Sequence, residues 1–162
     1  MMDRRTLYPI LIAAASAMAV AALGASATDI GPWYQALHKP SWQPPDWLFG
    51  PAWTLIFGLA ALSGVLAWRA AATRAVRQRI LFLFAVNGLL NVVWTELFFR
   101  FRRPDWALIE VIPFWISILV LLIALAPIST GASRAIAPYL IWVAFAGWLN
   151  LAVVRLNGTF GG

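Results

Sequence analysis

Cysteine is absent from this chain, so it can form no disulfide, offer no thiolate nucleophile and hold no metal through sulfur, while the redox compartment stays open. Histidine occurs once, as His38, and only six residues are acidic. No Ser/His/Asp set, metal-ligand cluster or phosphate-binding glycine loop can be assembled from the sequence. Conventional acid–base or hydrolytic chemistry is therefore not expected, nor is a metal site, and a lone His38 in a polar connection reads as a surface residue. Charge as a whole is scarce: Asp, Glu, Lys and Arg make up 11% of the residues, against roughly 25% in an ordinary soluble domain.

What fills the space is apolar. Of the 162 residues 62% are hydrophobic, and so short a chain has too little interior to hide that much apolar surface from water. A bilayer must cover the rest. The twelve Lys and Arg leave a net charge of +6, but the arginines lie in short tracts between apolar segments. That placement points to membrane topology and contact with anionic lipid, not to nucleic acid.

Five stretches meet the length of about 20 mostly apolar residues needed to cross the hydrocarbon core: 7–27, 47–68, 80–99, 106–126 and 136–156. They are continuous and lack the alternation of barrel strands. The expected fold is an all-α, polytopic bundle of five transmembrane helices, a single domain over 1–162, with a loop at 28–46 long enough for structure of its own. The first run has a rival reading as a secretory signal ending at Ala25-Ser26-Ala27. Its length and its ridge of Ala13, Ala17, Ala21 and Ala25, which would let another helix approach closely, favour a retained helix. With an inside N-terminus, seven basic residues fall inside and five outside, a small bias towards that orientation. Pro113 and Pro127 are positioned to kink or end the fourth helix.

Ten tryptophans exceed what two interfacial belts on so small a bundle require. Four of them, with Tyr34 and four prolines, fall in WYQALHKPSWQPPDWLFGPAW, Trp33 to Trp53. Proline removes backbone donors and restricts the residue before it, so regular helix is expected only beyond Pro51. The segment should be a stiff, ordered loop able to cap one mouth of the bundle; the plainer reading is an interfacial belt. On the third helix Asn87, Asn91, Trp94, Thr95 and Phe98 share one face, and two amides a turn apart should face inward. On the fifth, Tyr139, Trp142, Ala146, Leu149, Asn150 and Val153 form a second stripe in which Ala146 leaves room for a flat ring. Trp53 and Phe57 begin the second helix beneath the loop. A few fixed polar groups among aromatic walls describe a ligand pocket; the alternative is that the asparagines only join helices. Glu96 and Arg100 have the spacing of a helical ion pair. Glu110, a turn into the fourth helix, requires a structural partner, an opening to water or a proton-relay role.

The register of Trp33, Tyr34, Leu37, Lys39, Pro40, Trp42, Pro44, Pro45, Trp47, Phe49, Pro51 and Trp53 resembles the signature of the TspO/MBR family, the tryptophan-rich sensory and translocator proteins, also called the peripheral benzodiazepine receptor group. Asn87 to Phe99, Trp106 to Glu110 and Pro138 to Asn157 resemble its later helices, so the resemblance covers essentially the whole chain. It implies a five-helix bundle, usually a homodimer, whose pocket is closed by the first loop and takes porphyrin-type tetrapyrroles, sterols or benzodiazepine-site compounds. By family position Tyr34, Trp53 and Trp142 are the best ligand contacts, followed by Pro44, Asn87 and Ala146. Together with the residues of the two stripes, the expected binding set is Tyr34, Pro44, Trp53, Phe57, Asn87, Asn91, Trp94, Tyr139, Trp142, Ala146 and Asn150. Trp53 and Trp142 are the candidate redox aromatics if a bound porphyrin is degraded in light. In the animal members a tyrosine lies between the residues matching Leu149 and Arg155; here Leu151 takes its place, which disfavours sterol binding by that route. The expectation is a bacterial, multi-pass envelope protein that senses tetrapyrroles, needs no cofactor, and has lipid, ligand and a second copy as partners. A photo-oxidative enzyme and a tetrapyrrole or sterol transporter are the alternatives.

Overall fold

Each apolar run folds as a helix, and most helices extend past the run into the polar residues beside it. The computed structural model describes residues 4–158 and Phe160. The side chains of residues 4–6, including Arg4 and Arg5 counted above for topology, lie outside the described part. The elements are α1 (Arg4–Ala27), a short α2 (Pro32–Ala36), α3 (Asp46–Ala70), α4 (Arg74–Thr95) continued by a π-helical turn (Glu96–Arg100), α5 (Pro104–Leu125) and α6 (Thr130–Asn157). All but α2 are long and apolar enough to cross a membrane. The protein is an all-α, integral, multi-pass membrane protein.

Helix ends follow capping chemistry more than hydropathy. Thr73 Oγ1 accepts from the Val76 N–H at 3.3 Å, and Ser129 Oγ accepts from the Ala132 N–H at 3.2 Å. These caps start α4 and α6 six residues ahead of the apolar runs, because a hydroxyl that satisfies an orphan amide stabilises a first turn even where the residues are polar. α3 corrects a second expectation: regular helix begins at Asp46 and passes through Pro51. The φ of proline suits a helix, and so near the N-terminus it removes one bond, to the Trp47 carbonyl. Pro113 likewise lies inside α5, which ends at Leu125, two residues before Pro127.

The spanning helices form a ring in the order α1, α3, α6, α5, α4 and back to α1. Its buried core joins α3, α5 and α6 through Ile56 and Ala67 of α3, Phe114, Ile118 and Leu121 of α5, and Ile136, Tyr139 and Val143 of α6. Polar side chains tie these helices where hydrocarbon offers no hydrophobic drive to associate. Ser63 Oγ donates to the Ala132 carbonyl at 2.8 Å, Ser133 Oγ to the Leu122 carbonyl at 2.8 Å, and Trp115 Nε1 to the Leu140 carbonyl at 3.1 Å. α1 is different: among its described residues only Ala27 is buried. The alanine ridge does not meet another helix flush. Ala21 and Ala25 line one cavity of the bundle, and Ala13 and Ala17 line another.

Candidate functional site: a roofed aromatic cavity

The 28–46 connection is ordered by contacts to three other elements. Asp29 Oδ1 accepts from the Gly31 N–H at 2.8 Å, a local turn that leads into α2 with Pro32 at its first position. Asn157, at the end of α6, grips the loop backbone on both sides of one residue: its Oδ1 accepts from the His38 N–H and its Nδ2 donates to the His38 carbonyl, both at 2.8 Å. Trp42 packs edge-on against Phe145 and Trp148 of α6. Arg102, in the α4–α5 connection, lies over Trp33 and 3.8 Å from Asp29. Beneath, the Tyr34 hydroxyl donates to Asp46 Oδ1 at 3.0 Å, and Gln43 Nε2 donates to that same oxygen at 3.1 Å. Burial, the nearby Asp46 charge and this hydrogen bond together push the Tyr34 hydroxyl up to about 12, so it stays a donor. Lys39 Nζ stands 3.8 Å from the centre of the Tyr34 ring.

Under this roof lies a cavity of about 580 Å³ between α1, α3, α4 and α6, within the usual range of small-molecule sites. One wall is built on α3 and α6. Trp53 and Trp142 meet edge-to-face at 6.2 Å, Phe49 packs on Trp142, and Phe57 stacks on Trp53 at 5.4 Å. The other wall belongs to the end of α4, where Trp94, Phe98 and Phe99 form a cluster with centroids 4.8 to 6.5 Å apart. The π-helical turn makes that cluster possible, since its wider winding, closed by Phe101 N–H to the Glu96 carbonyl at 2.9 Å, brings consecutive Phe98 and Phe99 to the same cavity. Two donors in these walls are unsatisfied: among the described residues no protein group accepts from the buried Nε1 of Trp94 or of Trp142. Buried indole N–H groups ordinarily find a partner.

Of the expected binding set, Tyr34, Trp53, Phe57, Asn91, Trp94, Trp142, Ala146 and Asn150 line this cavity. Asn87 and Tyr139 lie deeper and line the second cavity, which shares only Phe57 with the first. Pro44 lines neither. All three asparagines bind other helices: Asn87 Nδ2 donates to Ser117 Oγ at 2.9 Å and Asn91 Nδ2 to the Tyr139 hydroxyl at 3.1 Å. The Asn150 amide, turned so that both ends are satisfied, donates to the Pro104 carbonyl and accepts from the Leu108 N–H, each at 3.0 Å. Residues not expected from sequence to meet a ligand also line it, among them Gln43, Asp46, Phe99, and Ala21, Gly24 and Ala25 of α1. The inward alanine ridge was the available signal for the last group; nothing in the sequence marks the π-helical turn that places Phe99.

The surplus of tryptophan divides accordingly. Trp42, Trp47, Trp106 and Trp148 are exposed in the manner of an interfacial belt, while Trp53, Trp94 and Trp142 turn inward. Glu96 and Arg100 pair at 3.4 Å, as their spacing predicts. Of the three reasons open to Glu110, a hydrogen-bonded partner is not found among the described residues, since both carboxylate oxygens are buried without one.

Fold and site define a class: a multi-span membrane protein with an apolar, aromatic-walled chamber between its helices, roofed by a proline-stiffened loop. The profile of the TspO/MBR family matches residues 10–156. The chain is 40% identical over 129 residues to the tryptophan-rich protein TspO of Chlorobaculum tepidum, covering 77% of this chain and 79% of that one. It is 36% identical to the tryptophan-rich sensory protein of Cereibacter sphaeroides, covering 85% and 88%, and 32% identical to the human translocator protein, covering 77% and 75%. The chain belongs to the TspO/MBR family.

Proposed function

We propose that the roofed cavity binds a flat, largely apolar ligand of the tetrapyrrole class, and that the protein is a membrane receptor or sensor for it in tetrapyrrole or stress regulation. The observation that carries this reading is the pair of aromatic walls around the cavity, Trp53, Phe57 and Trp142 on one side and Trp94, Phe98 and Phe99 on the other. A flat ring between them buries both of its faces on aromatic surface. Lys39, the cation that lines the cavity, stands in the roof, where the acid groups of a protoporphyrin would lie as its ring slides between the walls. Asn87 and Tyr139 belong to the deeper cavity and contribute through the helices they join, and the expected second copy would meet this chain through faces other than the alanine ridge.

Titrating detergent-solubilised protein with protoporphyrin, while following tryptophan fluorescence and the Soret band, tests the reading. Saturable quenching with a Soret shift, weakened in Trp142→Phe, is expected; a linear, unsaturable response overturns it. The Trp53 and Trp142 rings, in contact in the cavity wall, support a second reading, in which the excited porphyrin passes its energy to dioxygen and both oxygen atoms then add across one carbon–carbon double bond of the macrocycle, which opens to two carbonyls while the ring is held against this pair. Soret decay under light and air that is no faster with protein than without removes that reading and leaves the first intact.

A further inference from the structure

The second cavity, of about 420 Å³, lies along α1 in the half of the bundle away from the roof. Its lining runs from Pro9 to Val20 on α1 and from Phe57 to Trp68 on α3. Eleven residue steps of helix are about 16 Å, so the cavity is elongated along the bundle. Small residues on the facing helices, among them Ala17, Ala61 and Gly64, leave the space open and its lining is mostly apolar. A slot of that length and lining matches an extended hydrocarbon chain.

Its far rim is cationic. Trp68 lines the slot, and the Arg77 guanidinium lies 5.3 Å from the centre of that ring. Arg69, Arg74, Arg79 and Arg134 are exposed at the same end of the bundle. The described acids are all elsewhere: Asp29, Asp46, Glu96 and Asp105 at the roofed end, and Glu110 in the second turn of α5. A hydrocarbon slot opening beneath guanidinium groups that have no acidic partner among the described residues has the chemistry of an amphiphile site.

We infer that this slot holds an acyl chain of an anionic phospholipid from the surrounding bilayer, with the lipid phosphate on Arg77 and its neighbouring arginines. The site is separate from the tetrapyrrole cavity and does not depend on it.

The test uses delipidated protein in detergent, titrated with phosphatidylglycerol or phosphatidylcholine carrying identical chains brominated close to the glycerol, so that bromine quenches Trp68. Saturable quenching by phosphatidylglycerol is expected, at least five-fold tighter than by phosphatidylcholine. Trp68→Phe should remove that quenched component. Arg77→Gln should bring phosphatidylglycerol down to the phosphatidylcholine level, and Gly64→Leu, which fills the slot, should weaken both lipids. The nearest atom to a Cβ at Gly64 is a Phe84 ring carbon 3.8 Å away, so that variant is sterically tolerable; Ala61→Leu repeats the test should it not fold. Equal affinity for the two lipids in the unmodified protein, or quenching as complete in Trp68→Phe as without the substitution, overturns the proposal.

Discussion

The two cavities share α1 as a wall and Phe57 as a partition, yet they are built from different materials. The roofed one has rings for walls, two unpartnered indole donors and a lid held by specific hydrogen bonds. The lower one is walled mostly by alanine, glycine and aliphatic side chains, and the charges near it stand at its rim. Rigid aromatic walls select by shape and by stacking, because they favour a flat ring over a ligand that cannot lie between them. A soft aliphatic slot with a charged mouth selects by length and head-group charge only. The same bundle therefore holds one site suited to recognising a molecule and one suited to holding any member of a lipid class.

The sharpest way to break this contrast is to remove an aromatic wall. Trp142→Ala deletes the ring that meets Trp53, Phe49 and Phe145 together with one of the two donors. Losing the apolar contact and stacking of that ring should cost about 2–3 kcal/mol of ligand binding, a loss on the order of 30- to 150-fold in porphyrin affinity by fluorescence titration. Phospholipid binding should not change. If both classes of ligand weaken equally, the two sites are not independent.

The roof comes next. Asn157→Ala removes both hydrogen bonds to the His38 backbone while leaving the cavity walls in place. At about 1 kcal/mol for each bond, and with part of the gap filled by water, a five- to ten-fold faster ligand release is expected in stopped-flow. Amide exchange at His38 should rise while that of α5 stays unchanged.

A smaller effect is expected within the roof. Tyr34→Phe removes the hydroxyl that Asp46 accepts from and should weaken porphyrin binding two- to four-fold. It also carries a pH signature. The folded chain holds the Tyr34 proton up to about 12, whereas an unfolded tyrosine releases it near 10. The stabilisation is therefore complete below about pH 10 and is lost as pH rises towards 12. Unmodified protein should release porphyrin progressively across that window, and Tyr34→Phe should show a flatter profile.

How far these features were legible in the sequence follows a physical line. Tyr34, Trp53 and Trp142 could be placed because the family signature fixes the register of the first two and the resemblance extends over Pro138 to Asn157 for the third; the prolines alone misled, since helix begins at Asp46 and runs through Pro51. The five spans followed from apolar length alone. Asn87 shows the limit: periodicity gives the face of a helix, not the depth at which a cavity ends. One turn separates Asn87 from Asn91, about 6 Å along the axis, and that turn divides one chamber from the other. The grip of Asn157 on His38 joins residues 119 positions apart, which no local pattern encodes. The π-helical turn left no trace because its residues are ordinary helix formers until the wider winding is seen. The alanine ridge was legible as a ridge, but small residues facing a neighbour can leave space as readily as they close it.

The smallest expected effect tests the wall that the two chambers share. A Cβ added at Gly88 of α4 would lie 3.2 Å from Val20 Cγ2 of α1, so α1 or the valine must yield by a few tenths of an ångström. Against that overpacking stands the gain of about 0.5–1 kcal/mol from replacing a mid-helix glycine by alanine. The net change in thermal stability for Gly88→Ala should be a lowering of only a few degrees, with both ligand classes weakened two-fold or less, because α1 borders both chambers. Adding Val20→Ala removes the clashing methyl groups while keeping the helix gain, so the double variant should recover or exceed the original melting temperature. A Gly88→Ala protein that loses one ligand and keeps the other intact would show that α1 flexes between the chambers instead of moving as one rigid wall.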